Sequence, residues 1–288
     1  MLWSRFMTIQ QFKKRGNKLM KIKKLLVMFS MLLMSMLMTQ EAKSQIMEIG
    51  ATAGLSYYIG DINPNRHYAQ SEFAWGASVR YYQSPRWAFR FQYSNLNLSA
   101  ADAKSSFRPE RALAFSNKVN DFALLAEFNF FDYWTGSKRN FISPYIFAGV
   151  SLFTFNPVHP DGTQLHDVMT EGVDYNLTSW SIPFGIGVKY SLFKRIGLTL
   201  EWRLHKTFTD YIDDIHGLYP EIDVVNGDYI YSDPTGNYEA GMQRGNGTNE
   251  SSLGYNCDWF GTLGLTVSFR FNLPKSKSCD AGSNSRYY

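Results

Sequence analysis

Ile196-Gly197-Leu198-Thr199-Leu200-Glu201-Trp202-Arg203-Leu204-His205 is the stretch that decides the fold. Its even positions are apolar; its odd positions are small, polar or charged. Successive side chains of a strand point to opposite faces, so a period of two separates these sets cleanly, whereas a helix would mix them. One face is therefore built for an apolar phase. The other carries Glu201, Arg203 and His205. The same alternation runs through Trp87–Ser94, Ile182–Tyr190 and Leu263–Phe271, and similar registers fit 49–59, 75–81 and 122–130. Tyr145–Phe155 is apolar on both faces and sets no register.

Working outward, the pattern predicts eight strands at 48–59, 73–82, 87–98, 118–133, 142–156, 178–191, 196–207 and 258–271. Most exceed the roughly 9–11 residues that cross a bilayer at barrel tilt, and a soluble strand is nearer about 5–6. The connections Gln83–Arg86, Trp134–Phe141 and Leu192–Arg195 are short, and those between them are long. Transmembrane barrels show this asymmetry. The expectation is an all-β, closed eight-stranded antiparallel transmembrane β-barrel at 45–271, in the outer membrane. Both termini and the short turns would be periplasmic, and the long loops extracellular.

The segment before it reads as a cleaved signal peptide, 1–44. Lys13, Lys14, Arg15, Lys18, Lys21, Lys23 and Lys24 form a basic region, and Leu25–Met38 is an apolar run of 14 residues. Ala42-Lys43-Ser44 is a small-x-small cleavage site, and Met20 is an alternative start. The apolar run is shorter than the roughly 20 residues of a spanning helix. Nine of the 29 Lys and Arg precede residue 45, against the single acid Glu41. Without them the net charge changes from +4 to about −4, which removes any case for nucleic acid. Asn272–Tyr288 is expected to be a periplasmic tail. Cys257 and Cys279 fall on opposite sides of the membrane in this topology, so they are not expected to pair.

The apolar face must meet lipid, and in lipid the sheet must close to satisfy its backbone. An eight-stranded interior is just filled by side chains. Arg80, Arg90, Glu127, Lys189, Glu201, Arg203 and Arg270 are expected inside, paired with one another and excluding a wide pore. Aromatic girdles are expected at both headgroup levels. Trp75, Trp180, Trp259 and Phe260 would form the outer one, and Tyr81, Tyr82, Tyr133, Trp134, Tyr145 and Tyr190 the inner one.

Catalytic signals are weak. Asp210, Asp213 and Asp214 offer oxygen ligands for a divalent cation, but no calcium-loop pattern surrounds them, and a hard cation needs six or more oxygens. They are read as loop anchors. The acidic loop Phe208–Cys257 is expected to be mobile and solvated. No histidine has metal spacing, a Gly-x-Ser-x-Gly elbow is absent, and His205 beside Glu201 should lie inside the barrel, out of reach of substrate. No cofactor and no enzymatic activity are expected.

Several stretches, in order, carry a family resemblance: Gly50–Pro64 (GATAGLSYYIGDINP), Arg108–Asn117, Glu127–Phe131, Ser143–Val150 with Phe155-Asn156-Pro157, and Thr207–Asp214. Together they resemble PorG-like outer-membrane β-barrel proteins of the type IX secretion system of Bacteroidetes. The resemblance implies a non-enzymatic barrel that docks a periplasmic ring lipoprotein and its partner, PorK- and PorN-like, at the outer membrane. Arg86, Lys194 and Arg195 make the inner rim partly basic and are its candidate contacts. A lipid-modifying outer-membrane enzyme, and a structural or adhesive barrel acting through its outer loops, are the competing readings.

Overall fold

The computed structural model describes residues 46–64, 66–105, 107–220, 231–237, 239–245 and 257–272. The expected signal segment, the tail beyond Asn272 and Cys279 lie outside them. So do 221–230 and 246–256 of the acidic loop.

The alternating segments form β1 (Ile46–Ile59), β2 (Glu72–Tyr82), β3 (Trp87–Ala101), β4 (Ala114–Asn129), β5 (Ile142–Thr154), β7 (Thr178–Ser191), β8 (Ile196–Thr207) and β9 (Trp259–Asn272). The two-residue strand β6 (Pro157–Val158) only extends the pairing of β4. Every pairing of the eight long strands is antiparallel, and they are ordered β3-β2-β1-β9-β8-β7-β5-β4 with β3 paired to β4. The sheet thus closes as an eight-stranded barrel with no free edge. Pro183 lacks an N–H, and the β5–β7 ladder skips the pairs around it, between Ala148↔Phe184 and Ser151↔Ser181.

One strand is displaced from expectation. β4 begins at Ala114 and ends at Asn129 rather than spanning 118–133. Phe130, Phe131 and Tyr133 continue the apolar run past the strand end, so the run alone does not mark where pairing stops. The connection is therefore 130–141, longer than the expected Trp134–Phe141. At its far end β9 reaches Asn272, one residue into the expected tail.

Outward side chains are large, apolar and exposed, among them Phe89, Phe91, Leu124, Ile146, Ile186, Leu200 and Val267. A continuous apolar wall of this kind marks a membrane surface. On β7 it runs from Tyr190 to Trp180. Ten strand steps at ~3.3 Å, tilted by ~40°, span roughly 25 Å, the height of a barrel's lipid band. On β3 and β4 the wall ends where the Tyr93 hydroxyl donates to Asn120 at 2.9 Å. Asn95, Asn97 and Ser99 continue the hairpin above lipid level.

The girdles are revised in membership. Trp75, Trp180 and Tyr190 are exposed on the wall, and Tyr81 and Trp259 are partly so. Tyr82, Tyr133, Tyr145 and Phe260 are buried instead, and Trp134 packs on the buried cluster around Tyr133. Tyr145 shares the inward parity of Ser143 and Phe147, so its ring enters the barrel. Near the short turns Trp87 meets Phe128 at a tilt, and Phe141 meets Tyr190 edge to face.

The interior has two zones. Toward the short turns it is filled with charge. Toward the long loops it becomes an apolar core of inward side chains, including Leu96, Leu98, Phe115, Val119, Phe153 and Phe260. Loop residues Ile62, Leu113, Phe155, Leu165, Ile212 and Ile215 complete that core from above.

Candidate functional site

Alternation delivers the charged residues inward, and sheet closure brings them within reach of one another. Glu127 is the centre. Its carboxylate is ion-paired with Arg80 Nε at 2.9 Å and Arg90 Nε at 2.7 Å, and Lys189 Nζ donates to it at 2.6 Å. Glu201 takes Arg90 Nη2 at 2.5 Å and Arg203 Nε at 2.9 Å, and the Tyr145 hydroxyl donates to it at 2.5 Å. Arg203 also donates to Gln92 at 2.6 Å, and Lys189 to Asn129 at 2.8 Å. Arg80 reaches Glu48 at 3.1 Å. All these ionic groups are buried. Six of the seven expected interior charges therefore form one lattice. The seventh, Arg270, sits partly buried at the short-turn end and donates to the Thr135 carbonyl. Glu48 adds a third acid to the four bases of the lattice. Its inward parity with Gly50 and Thr52 was readable, but its place at the start of β1 obscured it.

Above the lattice, Ser181, His205 and Asp121 come together. Ser181 Oγ lies 3.1 Å from His205 Nδ1, and Asp121 Oδ1 lies 3.9 Å from the same nitrogen. A nucleophilic triad needs serine on one ring nitrogen and acid on the other. Here both address Nδ1. The imidazole is stacked on Phe260 at 4.2 Å and has no exposed surface. Ser181 is further engaged by Ser151 at 2.6 Å. The arrangement is a packed polar contact, inside the barrel where the sequence put His205.

The long-loop mouth is closed by a lid that sequence reading missed. Two buried arginines staple it. Arg111 donates to both oxygens of Asp102 at 3.1 and 2.8 Å, to the Arg244 carbonyl at 2.7 Å and to the Asp61 carbonyl at 2.9 Å. It thereby joins three loops. Arg244 donates to the Asp214 carbonyl at 2.7 Å, to Glu171 at 3.0 Å and to Thr170 at 3.2 Å. The described part of Phe208–Cys257 is thus divided: 210–215 and Arg244 are built into the lid, while 239–243 are exposed. Ile212, Asp213, Asp214, Ile215, Tyr219 and Arg244 are all buried. Its acidic composition misled because the buried acids have local partners.

Asp210, Asp213 and Asp214 do not converge. Asp210 accepts from the His216 ring at 2.8 Å, and Asp214 from the Tyr175 hydroxyl at 2.7 Å and from Thr170 Oγ1. Asp213 Oδ2 lies 2.5 Å from the Tyr58 hydroxyl, which also lies 2.8 Å from Asp258 Oδ1. One phenolic proton cannot serve two carboxylates, so a further proton must be held there. Burial first, and the charge of neighbouring aspartates next, push Asp213 and Asp258 well above the usual carboxylate range. Burial lifts Asp214 to about 6 against the pull of Arg244. The hydrogen bond to Asp210 raises His216. Among the described residues, no group of three or more His, Cys, Asp or Glu is placed to hold a metal ion.

At the short-turn end Arg86, Lys194 and Arg195 are exposed. Arg86 is held by Asp132 at 2.9 Å. Cys257 is half-buried at the long-loop rim.

A family model described as a Domain of unknown function (DUF6089) matches residues 23–227, more than two thirds of the chain. No curated protein sequence matches. Among solved structures, the N-terminal β-barrel domain of Pseudomonas aeruginosa OprF is 15% identical. The match covers 78% of this chain and 97% of that one, with a TM-score of 0.38. Ail, the attachment invasion locus protein of Yersinia pestis, is 9% identical over 80% of this chain and all of its own, with a TM-score of 0.41. The outer membrane enzyme PagL is 9% identical over 77% of this chain and 98% of its own, with a TM-score of 0.32.

Proposed function

The chain belongs to the DUF6089 family, and from that premise we propose that it is a non-enzymatic outer-membrane barrel that docks a periplasmic protein assembly. The observation that carries this reading is the closed interior. The Glu127 lattice fills the barrel, a stapled lid covers one mouth, and the connection 130–141 folds into the other. A filled barrel passes no solute, and its Ser181–His205–Asp121 contact meets no substrate. Its work then belongs to its ends. On this reading the short turns face the periplasm and the long loops face outside, the usual disposition of such barrels.

The resemblance to PorG-like proteins narrows the partner to the ring lipoprotein of a type IX secretion system and its companion, PorK- and PorN-like. Arg86, Lys194 and Arg195 are on the contacting side. The test is in-cell crosslinking from these turns, followed by purification of the barrel and identification of what it carries. Recovery of ring components supports docking. A barrel recovered alone, with cargo export intact in a deletion strain, removes the reading.

A further inference from the structure

The short-turn end carries a cationic surface whose geometry is fixed by two turns locked together. Connection 130–141 folds back across the mouth. Tyr133 and Thr135 are buried, Tyr133 packs with Ile46, Tyr82 and Ala88, and the Thr135 hydroxyl donates to Glu48. The next residue, Gly136, has φ of +90°, and a Cβ there would stand 2.2 Å from the Lys194 carbonyl oxygen. Only glycine suits both the left-handed conformation and that approach. The Gly136 N–H donates to Ser191 Oγ at 2.7 Å, and the Arg270 N–H donates to the Arg195 carbonyl at 2.8 Å. Turn 130–141, turn 192–195 and the end of β9 therefore share one frame.

Lys138, Arg139, Lys194 and Arg195 are all exposed on this frame. Among the described residues none of the four makes an ion pair with the protein; the single acid of the two turns, Asp132, is engaged by Arg86. Holding four like charges together costs free energy that an anionic partner relieves, and a surface already rigid loses little entropy on binding.

We propose that these interlocked turns are the docking surface for an acidic segment of a periplasmic protein. The inference rests on the docking reading and adds where and by what chemistry the partner is held. Lipid phosphate is the competing occupant, because Leu192 and Phe193 are exposed beside Lys194. Protein is favoured because the turn bearing Lys138 and Arg139 lies across the mouth, on the path of a partner approaching along the barrel axis.

The test uses the mature full-length barrel in phosphatidylcholine nanodiscs, with a labelled poly-glutamate peptide as probe. Wild type should bind, and more weakly as salt rises. Reversing the four bases (K138E, R139E, K194E, R195E) should weaken binding by about tenfold or more. Gly136→Ala should weaken it several-fold with every charge in place. Each turn reversed by itself, checked for folding by heat-modifiable gel migration, replaces the fourfold variant if that one does not assemble. Equal probe binding by wild type and the reversed variants overturns the proposal. So does a difference seen only with phosphatidylglycerol vesicles, which would assign the surface to lipid. In cells, a partner crosslinked equally by wild type and reversed variant overturns this surface and leaves docking standing. No partner with wild type removes docking itself.

Discussion

The interior of this barrel is made of two different materials. Near the short turns Glu48, Glu127 and Glu201 interleave with Arg80, Arg90, Lys189 and Arg203. Near the long loops Leu96, Phe115, Phe153, Phe155 and Phe260 pack as the core of a soluble domain would. The difference follows from what surrounds each zone. At lipid depth the wall must be apolar outside, and the eight-stranded interior receives whatever charges alternation sends inward. Those charges are tolerable only when every one is paired. Above the membrane, where the hairpins stand in water, the inside can be apolar, and the loops close over it. The lower zone thus depends on completeness of pairing, and the upper zone on packing and on two arginine staples.

The largest effect should come from breaking the lattice at its centre. Glu127→Ala strands Arg80, Arg90 and Lys189 without their shared carboxylate. Removing one member of a buried ionic set costs about 3–5 kcal/mol. Urea titration in lipid, read by gel migration and tryptophan fluorescence, should show global destabilisation of that size or failure to assemble. A loss below about 1 kcal/mol would mean the zone is hydrated and the two-material picture is wrong.

Next is Phe153→Ala, in the upper core, where the ring packs on Phe155 and Phe260. Large aromatic truncations cost about 3–5 kcal/mol in a closed core, and this site is at the lower end if the lid can settle into the space. The contrast with Glu127→Ala sharpens the comparison. The lattice variant should lower the barrel's own unfolding midpoint, and the core variant should first expose the loops to protease while the staves stay paired.

How much of this was legible in the sequence depends on the range of the interaction. Strands and inward parity were readable because alternation is local, as Glu201-Trp202-Arg203 shows. The end of β4 was not, since Phe130 and Phe131 continue the apolar run on residues that have left the ladder. Tyr145 was misread because a girdle tyrosine and an inward tyrosine are the same residue type. The inward parity it shares with Ser143 and Phe147, and its bond to Glu201 two strands along, distinguish them in the fold. The lid was invisible for a similar reason. Arg111 joins Asp102 nearby, but also Asp61 and Arg244, 50 and 133 positions away. No window of sequence contains that constellation. At the short-turn end Lys194 and Arg195 were readable as basic, but their fixed relation to Lys138 depends on Gly136 meeting a carbonyl 58 positions on.

Arg111→Ala separates the zones from the other side. It removes four hydrogen bonds from the lid and none from the lattice. Bonds to a charged group are worth roughly 1.5–3 kcal/mol each before relaxation. The lid should lose protection against proteolysis at 102–113 and 208–220, while the urea midpoint of the staves moves little. A matching fall in both would show that lid and barrel unfold as one unit.

The smallest effect is a dependence of the lid on pH, and its sign follows from the direction of the shifts. Asp214 is lifted to about 6, and Asp213, Asp258 and His216 are also raised. A group raised on folding contributes its stability below its unfolded value and loses it as pH climbs through the folded value. The carboxyl contribution is therefore complete near pH 4 and fades through about 6 and beyond. The imidazole contribution fades from near neutrality upward. Both act in one direction, so the lid should be tightest in acid and loosen by order 1–2 kcal/mol between mildly acid and mildly alkaline conditions. Hydrogen exchange of the loops as a function of pH, corrected for intrinsic rates, reads this directly. In Asp214→Asn the part of the trend near pH 6 should flatten. Protection that instead grows with rising pH would mean these acids are held ionised by the arginine staples, and the lid would then be a salt-bridged cap of the same material as the lattice beneath it.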